Sequence, residues 1–222
     1  MMDYGDKTIL PALLKRCEVR LENDARALEQ ASSERMKVAV GRFGGRVIGL
    51  ELLFPALRTA FMNHATRTVE TRQAEVVARI RPNAGNGFPY PLGSPEVRVE
   101  FPKRSDRQLV PWLSGLAWLD VFGGNEVFFG DSPFGIPCLW RNGEWSPERD
   151  LLFVAGQVHR LLTDPGNYSP ADSMNPEAAL YWVSHKDELP LEQPIPELSG
   201  GRNRSSQAIT SVFSRFALTV AE

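Results

Sequence analysis

Residues 135–182 read GIPCLWRNGEWSPERDLLFVAGQVHRLLTDPGNYSPADSMNPEAALYW. Cys138 stands near the head of this stretch, and a polar turn, NGEWSP, follows at once. Leu151, Val154, Val158, Leu161 and Leu162 then recur at helical spacing, which predicts a helix with one buried stripe. The loop DPGNYSPAD ends it. Proline cannot extend a helix, and Asp and Ser side chains bond their own backbone in turns. A second helical pattern begins at Asn175.

Upstream of this stretch the period changes. Glu96 to Phe101, EVRVEF, alternates as a half-buried strand does, and the Gly- and Pro-rich PNAGNGFPYPLGSP before it is punctuation. Residues 68–81 also read as a strand. MKVAVGRF and RVIGLELLF are rich in β-branched residues and are separated by Gly44-Gly45, the pattern of a hairpin. Residues 56–67 fit either a loop or a short helix. Residues 6–34 form one helical pattern, with Leu10, Leu13, Leu14, Cys17, Leu21, Ala25 and Leu28 on one stripe and Pro11 in the first turn. Strands before the cysteine and helices after it predict an α+β fold, an antiparallel sheet packed on helices.

Two stretches fall outside this frame. Within residues 105–130, Trp112, Leu116 and Leu119 follow Pro111 at helical spacing. They predict a short helix in an insertion, packed on the sheet edge or offered to a partner. Residues 188–204, ELPLEQPIPELSGGRNR, read as a linker by composition. Beyond it, Ile209, Val212, Phe213, Phe216 and Val220 repeat at helical spacing after Ser205-Ser206, which predicts an amphipathic helix over 205–222. Residues 1–187 are then expected to form one domain.

The chain has 222 residues, a net charge of −2 and a pI near 6.0. Nothing in that balance attracts nucleic acid or an anionic membrane. The longest apolar run, Val47 to Leu57, is too short and interrupted to span a bilayer. Asp3 and Asp6 precede any apolar run, unlike a signal peptide, and a cytoplasmic location is expected. The two cysteines, Cys17 and Cys138, are then expected to be reduced thiols. The three histidines are scattered, so neither a metal site nor a cofactor is expected.

Cys138 has the chemistry for acyl transfer, because a thioester keeps its acyl group reactive towards amines. The nearest basic residue in sequence is Arg141, and no histidine is adjacent. That suits a carrier handed an activated acyl group better than a protease that must attack an amide. Cys17 lies on an apolar stripe and reads as a small buried hydrophobe. His159 falls at the border of its helix's stripe. It reads either as a boundary histidine or as a base facing the groove.

A cysteine, then Trp145-Ser146-Pro147, a helix ending Leu161-Leu162-x-Asp164-Pro165, a loop, and Asn175-x-Glu177-Ala178-Ala179 resembles the ubiquitin-conjugating enzyme family, in particular its divergent bacterial members. Upstream, Tyr90-Pro91-x-x-x-Pro95-x-Val97-x-Val99 is similar to that family's YP-x-x-PP-x-V-x-F segment, with Ser94 in place of the first Pro of the pair. Together these pieces cover about half the chain in the family's order. The resemblance implies a ubiquitin-conjugating-enzyme-like fold: an N-terminal helix, a four-stranded antiparallel meander, an active-site cysteine loop and two C-terminal helices. It implies that an adenylating activating enzyme loads a ubiquitin-like modifier onto Cys138, and that an amine of a target protein then takes it. Bacterial members of this kind accompany deconjugating peptidases, often in antiphage defence. A non-catalytic binding module on the same fold is the alternative.

The chain departs from that family in the longer step from the YP segment to the cysteine, which residues 105–130 extend, and in one tripeptide. The His-Pro-Asn tripeptide expected shortly before the cysteine is absent. The family uses that Asn to support the oxyanion; Asn125 is the one Asn in the segment, and backbone N–H groups are the other source. In the family an Asp or Ser before a Pro in the loop after the helix orients the incoming amine. Ser169, before Pro170, takes that place, with Asp172 as its acidic neighbour. A loop in which Ser169 and Asp172 simply bond the backbone is the other reading.

Overall fold

The computed structural model describes residues 9–63, 65–83, 88–102, 109–118, 128–129, 132–140, 145–192 and 195–198. Helix α1 (Ile9–Gln30) leads into strands β1 (Lys37–Phe43) and β2 (Arg46–Asn63). Gly44 and Gly45 turn the chain between them at φ of +57° and +78°. Two consecutive left-handed residues make the turn that matches strand twist, and glycine adopts them without steric cost. Strands β3 (Thr68–Arg81) and β4 (Glu96–Glu100) follow, each antiparallel to its predecessor. The register sets Val40 against Leu50, Phe54 against Val76 and Ile80 against Val97.

Residues 56–63 extend β2; they form neither a loop nor a helix. This half of the strand pairs with β3 from Leu57–Ala74 to Asn63–Thr68, after a bulge that displaces Pro55 and Ala56. A bulge is one of the few places a sheet accepts proline. Beyond it Thr59, Ala60, Phe61 and Met62 are all buried, so the alternation that marks a one-sided strand is lost.

The stretch 105–130 also differs from expectation. In place of a helix at Trp112 and Leu116 stand two short strands, β5 (Leu109–Pro111) on β2 and β6 (Leu116–Trp118) on β8 (Ser132–Pro137). Strand β7 (Phe128–Phe129) pairs with β8 as well. Leu109, Val110, Trp112, Leu113, Ser114 and Leu116 are all buried. A run buried on both sides mimics helical spacing by chance. Leu119 and Asn125 lie outside the described residues.

The sheet order is β1-β2-β3-β4-β8-β6, with β5 and β7 off this path. Helix α2 (Leu151–Thr163) packs on α1 and β2, and α3 (Pro176–Ser184) follows it. Asp150 caps α2 through the Phe153 N–H at 2.7 Å, and Asn175 caps α3 through the Ala178 N–H at 3.1 Å. The fold is α+β with an antiparallel sheet. Leu52, Phe54, Ile80, Leu151, Leu161 and Trp182 are among its fully buried side chains. In α1 the stripe is buried from Cys17 to Leu28, while Leu10 and Leu14 are exposed.

The linker expected from residue 188 is packed as far as it is described. A 3₁₀ turn at Lys186–Glu188 and a further one over residues 196–198 follow α3, and Ile195 is 2% and Leu198 8% exposed. Glu192 accepts the Arg58 backbone N–H at 2.7 Å and pairs with Arg35 at 3.5 Å. Proline and glutamate give the segment a linker's composition, but Ile195 and Leu198 reach the core, while Leu191 stays exposed. Residues 199–222, with the amphipathic pattern, lie outside the described residues. Ile195→Ala is expected to lower the unfolding free energy by about 2–4 kcal/mol in urea titration. A linker residue would change it by less than about 0.5 kcal/mol.

Candidate functional site

Cys138 is the first residue after β8, and its backbone continues that strand's pairing. Its N–H donates to the Gly115 carbonyl at 2.7 Å, next to the Leu116–Pro137 pair of β6 and β8. Gly135 is bare for a reason. A Cβ there would meet Leu116 Cδ1 at 2.7 Å. The Cys138 carbonyl accepts a hydrogen bond from the Tyr168 hydroxyl. Its sulfur is half-buried and lies 3.8 Å from the Trp140 carbonyl oxygen.

The WSP turn and the YP segment meet beside the cysteine. Trp140 and Trp145 lie with ring centroids 5.0 Å apart, and Tyr90 is 6.1 Å from Trp145. Trp145 Nε1 donates to the Pro91 carbonyl at 2.8 Å. The Tyr90 hydroxyl donates to Asp24 of α1 at 2.5 Å, and Asp24 pairs with Arg20 at 2.6 Å. Burial, then the Asp24 charge, pushes the Tyr90 phenol well above its ordinary pKa. Burial raises Asp24 and Asp150 as well, opposed by their hydrogen bonds. This cluster ties α1 to the platform on which the cysteine turn rests.

On the other side lies the loop after α2. Ser114, fully buried, donates its N–H to the Pro165 carbonyl at 2.9 Å. Its carbonyl accepts from Ser173 Oγ at 2.7 Å and from the Asn175 N–H at 3.2 Å. Trp182 Nε1 donates to the Trp112 carbonyl at 2.9 Å. The loop is therefore fastened to the strand connection that holds Cys138. Ser169 is exposed on it, directly after Tyr168, and its hydroxyl lies 3.3 Å from Asp172 Oδ2. The Asp172 N–H also donates to the Ser169 carbonyl at 3.0 Å. The structure thus brings the loop of Ser169 to Cys138, and the local bonds are also those of a self-stabilised turn.

His159 is not brought there. It is 5% exposed, its ring lies 5.9 Å from Phe54, and its Nε2 has no hydrogen-bond partner. It lines a cavity of about 110 Å³ with Arg35, Leu57, Glu192 and Ile195. Its surroundings are those residues and not the neighbours of Cys138, which leaves it badly placed as a base for an amine at that sulfur. Among the described residues no imidazole hydrogen-bonds to Sγ. Cys17 is buried at 5%, and burial raises its thiol pKa, which makes it a poor nucleophile.

Tyr168, Ser114 and Gly115 were not singled out from the sequence. The signal was slight: a tyrosine in a polar loop, and a Ser-Gly pair inside an apolar run. Among the described residues no group of three or more His, Cys, Asp or Glu could hold a metal ion, and no helix is long and apolar enough to cross a membrane. No family model, curated protein or solved structure matches the chain.

The His159 environment has a measurable consequence. Burial, aided by the Arg35 charge and opposed by Glu192, holds its pKa below the ordinary 6.5. The unfolded chain then takes up a proton at a pH where the folded chain resists it. Stability is full above about pH 6.5 and falls as the pH drops through the lowered folded value. In denaturant titrations from pH 7.5 to 5, His159→Leu should flatten that decline. An unchanged slope would exclude His159 as its source.

Proposed function

We propose that this chain is a thioester carrier of the ubiquitin-conjugating type, with Cys138 as the acceptor. The observation that carries the reading is convergence. The YP segment packs on the WSP segment, the WSP segment packs on Trp140 of the cysteine turn, and the DPGNYSP loop holds the Cys138 carbonyl through Tyr168. The order of helix, meander, cysteine turn and two helices agrees with what the resemblance implies and lends it support.

In this reading the Cys138 thiolate attacks the carbonyl of a modifier held as a thioester on an activating enzyme. The new acyl–sulfur bond forms and the activating enzyme's thiol leaves. An amine of the target then attacks the Cys138 thioester. An amide forms, the Cys138 thiol is released, and the amine proton passes to solvent or to a group on the rim. Ser169 is the rim hydroxyl that would orient the amine. The missing His-Pro-Asn leaves the oxyanion to backbone donors or to Asn125. A deconjugating peptidase would hydrolyse the amide with water and return free modifier and target amine, and antiphage defence is the setting the resemblance favours.

The absent tripeptide favours a second reading, a non-catalytic module that binds the modifier without carrying it. A cysteine hydrolase needs an imidazole at its sulfur, and His159 sits elsewhere.

One loading experiment separates these readings. With its activating enzyme, ATP and ubiquitin-like protein, the wild-type chain should form an adduct that a reducing agent removes. Cys138→Ala should form none. Cys138→Ser, if it loads, should hold a reductant-resistant oxyester. Cys17→Ala should load like the wild type. A binding module gives no adduct in any variant, and a hydrolase gives free modifier with no lasting adduct. Normal, reductant-sensitive loading of Cys138→Ala would sink the proposal.

A further inference from the structure

Cys138 has two backbone polar groups, and different elements hold them. Its N–H belongs to the β6–β8 pairing through Gly115, and its carbonyl is taken by the Tyr168 hydroxyl from the loop after α2. The two holders also touch each other. A Cβ built on Gly115 would lie 2.6 Å from Tyr168 Cε2 and 3.0 Å from Cδ2. The ring therefore passes directly over the bare glycine to reach the cysteine, and no other residue at 115 leaves room for it. Packing alone calls only for the ring. A hydroxyl placed on the carbonyl of the one half-exposed thiol calls for a further reason.

We infer that Tyr168 is a positioning residue for Cys138, and that Gly115 is bare so that Tyr168 can reach it. The inference deepens the thioester-carrier reading and rests on it for the transfer step. With both its N–H and its carbonyl fixed, the residue has one backbone orientation, and its Cα–Cβ bond aims Sγ in one direction. Tyr168 is itself held, because Ser114 fastens the loop on both sides of it, at Pro165 and at Ser173 and Asn175. Ser169 is the next residue in the chain. Cysteine and rim hydroxyl are thus carried by one stitched unit, and their separation is preserved when either is pushed.

The test uses the full chain and the rate at which iodoacetamide alkylates each cysteine, read by peptide mass spectrometry. Tyr168→Phe keeps the ring over Gly115 and removes only the hydroxyl. Cys138 should then react about fivefold faster, the scale of one lost hydrogen bond, while buried Cys17 keeps its wild-type rate. Gly115→Ala, which displaces the ring with its hydroxyl intact, should give the same acceleration at Cys138. Loaded Tyr168→Phe should discharge onto free lysine several-fold more slowly, although its thiol is the more reactive one. An unchanged Cys138 rate in Tyr168→Phe would overturn the inference. So would equal acceleration at Cys17, which reports loss of the fold and not release of one residue. A wild-type chain that never loads a modifier removes the carrier reading, and the alkylation rates still decide the role of Tyr168.

Discussion

Ser114 has no contact with water and uses every polar group it owns on one loop. Its N–H, carbonyl and hydroxyl all find partners between Pro165 and Asn175, the hydroxyl on Asn167 Oδ1 at 3.3 Å. A buried polar group left unpaired costs on the order of 1–3 kcal/mol, so this short strand connection and that loop are obliged to stay together. The cysteine hangs from the next residue, Gly115, and α3 begins where the loop ends. Remove the stitching and Cys138 would keep its β6 pairing but lose the loop that holds its carbonyl.

Much of the fold was legible because its signals are local. The Gly44-Gly45 turn and the alternation of Glu96–Glu100 each act within a few residues of the backbone they shape. The readings that failed concern residues buried on more than one side. Thr59 to Met62 and Trp112 to Leu116 are enclosed by neighbours from distant parts of the chain. Their apolar runs carry no period that separates strand from helix. The packed tail of the core failed for a related reason, since Ile195 and Leu198 are two apolar side chains in a stretch that otherwise has the composition of a spacer.

The candidate site divides in the same way. Cys138 and its WSP turn stand out in the sequence, and Ser169 lies on the loop that the structure brings beside them. Tyr168 and Gly115 do not stand out, because their importance is a matter of clearance: one side chain crosses where another is missing. His159 carries two readings in the sequence, a boundary histidine and a base. A histidine at the edge of an apolar stripe can face either way, and here it lies near the Phe54 ring in a cavity shared with Arg35 and Ile195.

The ties made by Glu192 set an order of events during synthesis. Its carboxylate joins Arg35, 157 residues earlier, and the backbone of Arg58, 134 residues earlier. Closing contacts of such long range is slow, because the intervening chain must be ordered first. On a ribosome the first hairpin and α1 can form as they emerge. The cavity around His159 cannot be completed until the chain has been made past Ile195. Until then the buried ends of β2 and α2 stay open, and a nascent chain stalled before residue 192 would expose an apolar seam for chaperones to cover.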